Sequence, residues 1–391
     1  MKQQTFFKHL NSIISKSIKL PTTFPSIRKN YRTISATNSS LRVFSTASRI
    51  CSTNNHDEIT ILQTNLKFED ELTFAERLIT LRKKGDTVVI PPLIIDHIKQ
   101  EAMNENPRAL FNLGEFLVLG LGGRINHKEA FDCYLKSAKL GYNKGKHLVG
   151  YCYKEGLGVD IDYKKSMEWF VDAANSGIPL SAFEVASLYI AGQGCELNVM
   201  EALQWALKAA SSVERDIPRA KEMVGKIYLF QKDYEKSLEW LTKASEYNLP
   251  ESRHWLGWMY LNGTGVVQNY KKARELFELS QNSESCFRLG SIYEMGLGVP
   301  IDKEKALEWF TKAADMGHKS AQYMTGLILL ENKEYSKAYE YLLKAANQNE
   351  ANAMHLVGEM LRDGCKGVPK NASESERWLK KAEKAGYNLN Y

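Results

Sequence analysis

One phrase of about thirty-five residues returns eight times along this 391-residue chain, and no other feature constrains its fold as strongly. The clearest mark is an apolar residue followed by glycine. It occurs at Leu113-Gly114, Val149-Gly150, Val224-Gly225, Leu256-Gly257, Leu289-Gly290 and Val357-Gly358, with Val185-Ala186 and Thr325-Gly326 as variants. Successive marks lie 36, 36, 39, 32, 33, 36 and 32 residues apart. Five positions before each glycine or its substitute the residue is always small (Ala109, Gly145, Ser181, Ala220, Ser252, Ser285, Ala321, Ala353), and three positions after it stands Leu or Tyr. These spacings put the marks on one side of a helix, where glycine or alanine lets a second helix come close. They predict helix A of a hairpin.

Helix B is predicted from an aromatic-rich stripe: Trp169, Trp205, Trp240, Trp309, Tyr341 and Trp378, with Cys133 and Leu276 in the weaker units. Each is followed four residues later by Ala or Ser, so the expectation is that large faces small across every hairpin. A single hairpin leaves an apolar edge that only a neighbouring repeat can cover. The joining loops recur as well, at Gly156-Leu157-Gly158, Gly192-Gln193-Gly194, Gly263-Thr264-Gly265 and Gly296-Leu297-Gly298. They follow a helix, so the first glycine is expected to be a left-handed C-cap and the second a turn residue. No strand precedes them, which removes a phosphate-binding reading. Asn126, Asp162, Asn198, Asn269 and Asp302 stand where helix B needs an N-cap, and Asn126/Glu129, Asn198/Glu201 and Ser373/Glu376 have capping-box spacing.

Taken together these residues resemble the Sel1-like repeat family, relatives of tetratricopeptide repeats. The fullest copy runs from Phe287-Arg288-Leu289-Gly290 through Gly296-Leu297-Gly298-Val299 and Lys305-Ala306 to Trp309, Ala313-Ala314 and Gly317. The unit from Pro179 lacks the helix A glycine, and the end near Gln281 is truncated. The resemblance implies an all-α, right-handed α-solenoid of about eight helix-turn-helix repeats over residues 107–387, used as an adaptor and without catalysis of its own. Residues 57–106, with an amphipathic stretch from Phe74 to Arg82, are expected to form an N-terminal helical cap. The charged helix from Glu374 to Lys384 would close the other end, and residues 388–391 form a tail.

Charge divides the chain sharply. Nine of the 52 Lys and Arg, and none of the 46 Asp and Glu, fall in residues 1–56, so the remainder has a formal net charge of −3. That body is not built to neutralise many phosphates, which argues against DNA and disfavours an RNA-binding helical-repeat protein reading bases along a basic groove. The leader also contains seventeen Ser and Thr, and Phe6, Phe7, Leu10, Ile13, Ile14 and Ile18 recur at helical spacing among lysines. This is the composition of a mitochondrial transit peptide, with a matrix-type cleavage pattern around Arg42 to Ser45. The expected address is therefore mitochondrial, in the matrix. No apolar run is long enough to span a membrane. The six cysteines show no C-x-x-C pair and are read as small buried side chains; no cofactor and no metal site are expected.

The candidate partner-binding positions lie three before and one after the helix A glycine. By similarity to tetratricopeptide repeats these line the concave face. They nominate His147, Tyr151, Phe183, His254, Trp258, Phe287, Tyr323 and His355 as a groove for a peptide or helix of a protein partner, with rigid aromatic anchors. The competing expectation is that such side chains fill the space between adjacent helix A elements. His147, His254 and His355 belong to repeats three apart, about 30 Å at ordinary helix spacing, so they cannot share one metal ion.

Overall fold

The computed structural model describes residues 71–83, 92–121, 123–213 and 215–387, and the proposed transit peptide and its cleavage point lie outside them. Every named element is a helix. The chain divides into two compact units, one ending at Asp216 and the other beginning at Ile217. That boundary falls in the longest interval between repeat marks, the 39 residues from Ala186 to Gly225.

In the first unit α1 (Glu71–Lys83) and α2 (Pro92–Met103) precede three hairpins. These are α3 (Pro107–Leu119) with α4 (His127–Lys139), α5 (Asn143–Glu155) with α6 (Tyr163–Asn175), and α7 (Pro179–Ala191) with α8 (Val199–Ala210). Both leading helices pack on α3, through Ala75, Ile79, Ile94 and Ile98 against Phe116. The second unit holds five hairpins: α9 (Pro218–Phe230) with α10 (Tyr234–Ser245), α11 (Pro250–Asn262) with α12 (Tyr270–Ser280), α13 (Ser283–Met295) with α14 (Lys303–Asp315), α15 (Lys319–Glu331) with α16 (Tyr335–Asn347), and α17 (Ala351–Asp363) with α18 (Ala372–Lys384). In each unit helix B of one hairpin packs on helix A of the next, so the hairpins stack as a solenoid does.

Glycine inside a helix costs about 0.5–1 kcal/mol relative to alanine, so its recurrence in helix A needs a cause. The cause is proximity. A Cβ on Gly150 would lie 2.8 Å from Phe170, and Gly114, Gly257 and Gly290 meet Tyr134, Phe277 and Phe310 in the same way. This corrects the expected pairing by one residue. The side chain against the glycine is the one after the predicted stripe, while Trp205, Trp240 and Trp309 are half-buried with Lys208, Lys243 and Lys312 over their rings at 4.7, 4.7 and 4.9 Å. In the repeat that lacks the glycine, Ala186 is matched by Ala206 at the equivalent helix B position, and both are fully buried.

The predicted N-caps all hold: Asn126, Asp162, Asn198, Asn269 and Asp302 each accept a first-turn amide. At the last helix the cap is Asn371, which accepts from Glu374 N and donates to its carboxylate at 3.1 Å, so the capping pair is Asn371/Glu374 and not Ser373/Glu376. The second loop glycines do more than turn. Gly158, at φ +73°, sits against the His127 carbonyl at the start of α4, so a Cβ there would overlap backbone; Gly194 meets Tyr163 of α6 likewise. Each such loop locks its repeat onto the first turn of the preceding helix B.

Candidate functional site

The nominated residues separate into two groups. Positions three before the glycine face the seam between consecutive repeats. His254 is 4% exposed; its Nδ1 shares a hydrogen bond with Ser285 Oγ of the next helix A at 2.9 Å, and its ring packs on Phe277. His147 does the same with Ser181 Oγ at 2.8 Å and with Phe170. At the equivalent place in α9, Glu222 is buried and accepts from Ser252 Oγ at 2.9 Å. Burial disfavours the charged imidazolium and holds both histidines down at about 4, and it pushes the Glu222 carboxyl up. His254 is therefore a seam residue and not a groove anchor. Phe287 stacks on His318 at 4.6 Å, and His355 stacks on Tyr387 at 4.0 Å.

Positions one after the glycine are mixed. Tyr151 and Trp258 keep partly exposed rings, as do Phe183 and Tyr323 of the other set. Glu115 and Lys226 are buried. Glu115 accepts from Tyr134 Oη at 2.9 Å and pairs with Lys83 of α1; Lys226 lies 3.8 Å from the Glu251 carboxylate.

Two residues that sequence reasoning missed complete the accessible surface in the second unit. Trp255 and Arg288 stand two before the glycine, hence a turn from the position one after it and on the same side. Trp255 is edge-on to Trp258 at 6.2 Å and to Phe230 at 5.7 Å, forming a half-buried aromatic patch over α9 and α11. Trp255 Nε1 and Arg288 Nε are buried N–H donors without an acceptor. Arg288 also binds Glu284 at 2.8 Å, whose other oxygen meets His318 Nε2 at 2.9 Å. Although burial opposes it, these two neighbours hold the Glu284 carboxyl down at about 2. The signal for the seam was present in the sequence. Ser181, Ser252 and Ser285 follow repeats whose seam residue is polar (His147, Glu222, His254), whereas Gly145, Ala321 and Ala353 follow Phe111, Phe287 and Tyr323.

Among the described residues no group of three or more His, Cys, Asp or Glu is arranged to hold a metal ion, and no helix is long and apolar enough to cross a membrane. Burial pushes the Cys152 thiol up to about 12, which leaves it unreactive at neutral pH.

Tandem helical hairpins with a glycine, or in one repeat an alanine, at each crossing and glycine loops locked onto the preceding repeat define the class. The Sel1 repeat matches over residues 107–142, 144–178, 179–213, 218–246, 250–280, 283–318, 320–350 and 351–387, and the chain belongs to the Sel1 repeat family, whose members are generally protein–protein interaction scaffolds. A Sel1 repeat protein from Oxalobacter formigenes is similar in structure, with a TM-score of 0.60 and 25% identity over 88% of this chain and 96% of that one. So is c5321, a protective antigen of uropathogenic Escherichia coli with an SLR fold, with a TM-score of 0.64 and 27% identity over 75% of this chain and 64% of that one. In sequence the chain is 38% identical over 96 residues to the ERAD-associated E3 ubiquitin-protein ligase component HRD3B of Arabidopsis thaliana, and 34% over 91 residues to Protein SHC1 of Saccharomyces cerevisiae. Each match covers 22% of this chain but only 15% and 18% of those proteins.

Proposed function

We propose that the chain is a non-catalytic mitochondrial scaffold that holds a helix or peptide of a protein client on its helix A surfaces and assists assembly of a complex. The observation that carries this reading is the half-buried patch of Phe230, Trp255 and Trp258, with Arg288 standing at the place of Trp255 in the next helix A. Rigid, partly exposed aromatics are the composition of binding hot spots, because they supply contact area at low cost in side-chain entropy. The similarity to HRD3B, a component of a larger assembly by its name, supports a role in complexes, and the acid-free basic leader supports the compartment.

The test is to express the full chain with a C-terminal tag, isolate mitochondria, crosslink, and identify co-purified protein and RNA, alongside a Trp258→Ala, Tyr323→Ala variant. A discrete protein partner lost from the variant is the expected result. Exclusion from mitochondria contradicts the address, and recovery of RNA instead of protein contradicts the scaffold reading.

A further inference from the structure

The surface of α3 that faces away from α4 is already occupied. Helix α1 lies across it and is pinned by polar contacts at both ends. Arg108 donates from Nε to Glu76 at 2.7 Å and from its terminal nitrogen to Thr73 Oγ1 at 2.6 Å; Lys144 of α5 approaches the other Glu76 oxygen at 3.5 Å. Asn112 donates to the Leu72 carbonyl at 3.2 Å, and Lys83 pairs with the buried carboxylate of Glu115. Arg108, Asn112 and Glu115 are spaced i, i+4, i+7, a single helical face, and Glu115 is one of the positions expected to face a client.

We propose that this face of the first repeat is a helix-docking site that α1 fills in the resting chain, and that a client helix of the same polar pattern displaces it. The site dictates that pattern. Removing α1 takes from Arg108 and Lys144 the Glu76 carboxylate they share, and takes from the buried Glu115 carboxylate the ammonium of Lys83. The fitting partner is an amphipathic helix with an acid and, seven residues on, a base, on either side of a small apolar strip, as in Glu76, Ile79 and Lys83. What makes α1 separable is that each of the three hairpins has its own buried glycine crossing or its alanine equivalent, whereas α1 meets α3 through the polar contacts above and the apolar strip of Ala75 and Ile79. This deepens the scaffold reading and rests on it.

The test uses the full chain and a labelled peptide with the sequence of residues 71–83. In a Glu76→Lys variant the chain's own α1 is repelled by Arg108 and Lys144, while the added peptide retains its glutamate. The peptide is expected to bind the variant at least tenfold more tightly than the parent chain, and a peptide carrying the same lysine is expected not to bind. Equal binding to parent and variant, or none to either, overturns the proposal. Native-state hydrogen exchange on the parent keeps the test independent of the variant's folding. Amides of α1 should open at least tenfold more often than those of α3 to α8, and loss of protection in a single step for all of them contradicts a displaceable helix. The patch around Trp258 is untouched by Glu76→Lys. Failed peptide exchange with client capture intact therefore counts against this site alone, and lost client capture with exchange intact counts against the scaffold reading.

Discussion

At the scale of single residues the seams between repeats determine what each side chain can do. Seven of the eight marks place Leu, Val or Ile-like bulk before the glycine or alanine, but the seventh repeat has Thr325, fully buried with no partner for its hydroxyl. Thr325→Val keeps the shape and removes an orphaned polar group, so it should stabilise the second unit by about 1 kcal/mol in urea unfolding; a loss of stability would mean that the hydroxyl is satisfied. The seam histidines make stability depend on pH. The His254 imidazole, about 6.5 in an unfolded chain, is held at about 4 when folded, chiefly by burial. The unfolded chain takes up this proton first, so stability is full above about pH 6.5 and is lost as pH falls through about 4, by on the order of 3 kcal/mol across that window. His254→Phe, the residue used at Phe183 and Phe287, should flatten the stability of the second unit between pH 7 and 4; an unchanged slope would place the titration elsewhere.

At the scale of elements the repeat is built from contacts between glycines and their neighbours, and these differ in consequence. Gly158 and Gly177 both have positive φ, but a Cβ on Gly177 meets nothing within 4 Å, whereas one on Gly158 overlaps the backbone of α4. Gly177→Ala should cost about 1 kcal/mol, the left-handed strain alone, and Gly158→Ala several times that, with exchange protection falling at the start of α4. Equal effects would show that the loop glycine only turns the chain. The hairpins, caps and loop glycines were legible because they repeat: a glycine five after a small residue and three before a tyrosine allows one geometry. The partner of that glycine was misassigned because a tryptophan stripe and the phenylalanine beside it share the same period, and only the rotation of helix B decides between Trp169 and Phe170. Of the candidate site, His147, Tyr151, Phe183, Trp258, Phe287, Tyr323 and His355 stand on helix A with at least part of the residue accessible. His254 was not, because its burial depends on Ser285 of the next repeat, a contact that no pattern within one repeat contains.

For the whole molecule, the proposed scaffold role makes function depend on which helix A surfaces are open. The first unit has α1 laid across α3, and the second presents half-buried Trp255 and Trp258. On the opposite side of the hairpins helix B shows half-buried tryptophans capped by lysines that are paired or solvated, such as Lys243 with Glu239 at 2.6 Å, a surface already satisfied within the chain. The central claim is that the client sits on helix A and not on helix B. The most direct measurement places a photocrosslinking amino acid at position 258 in one chain and at position 240 of helix B in another, then compares the adducts formed in intact mitochondria. The account predicts a discrete protein adduct from position 258 and none from position 240. Adducts from position 240 alone, or adducts to RNA, would contradict it.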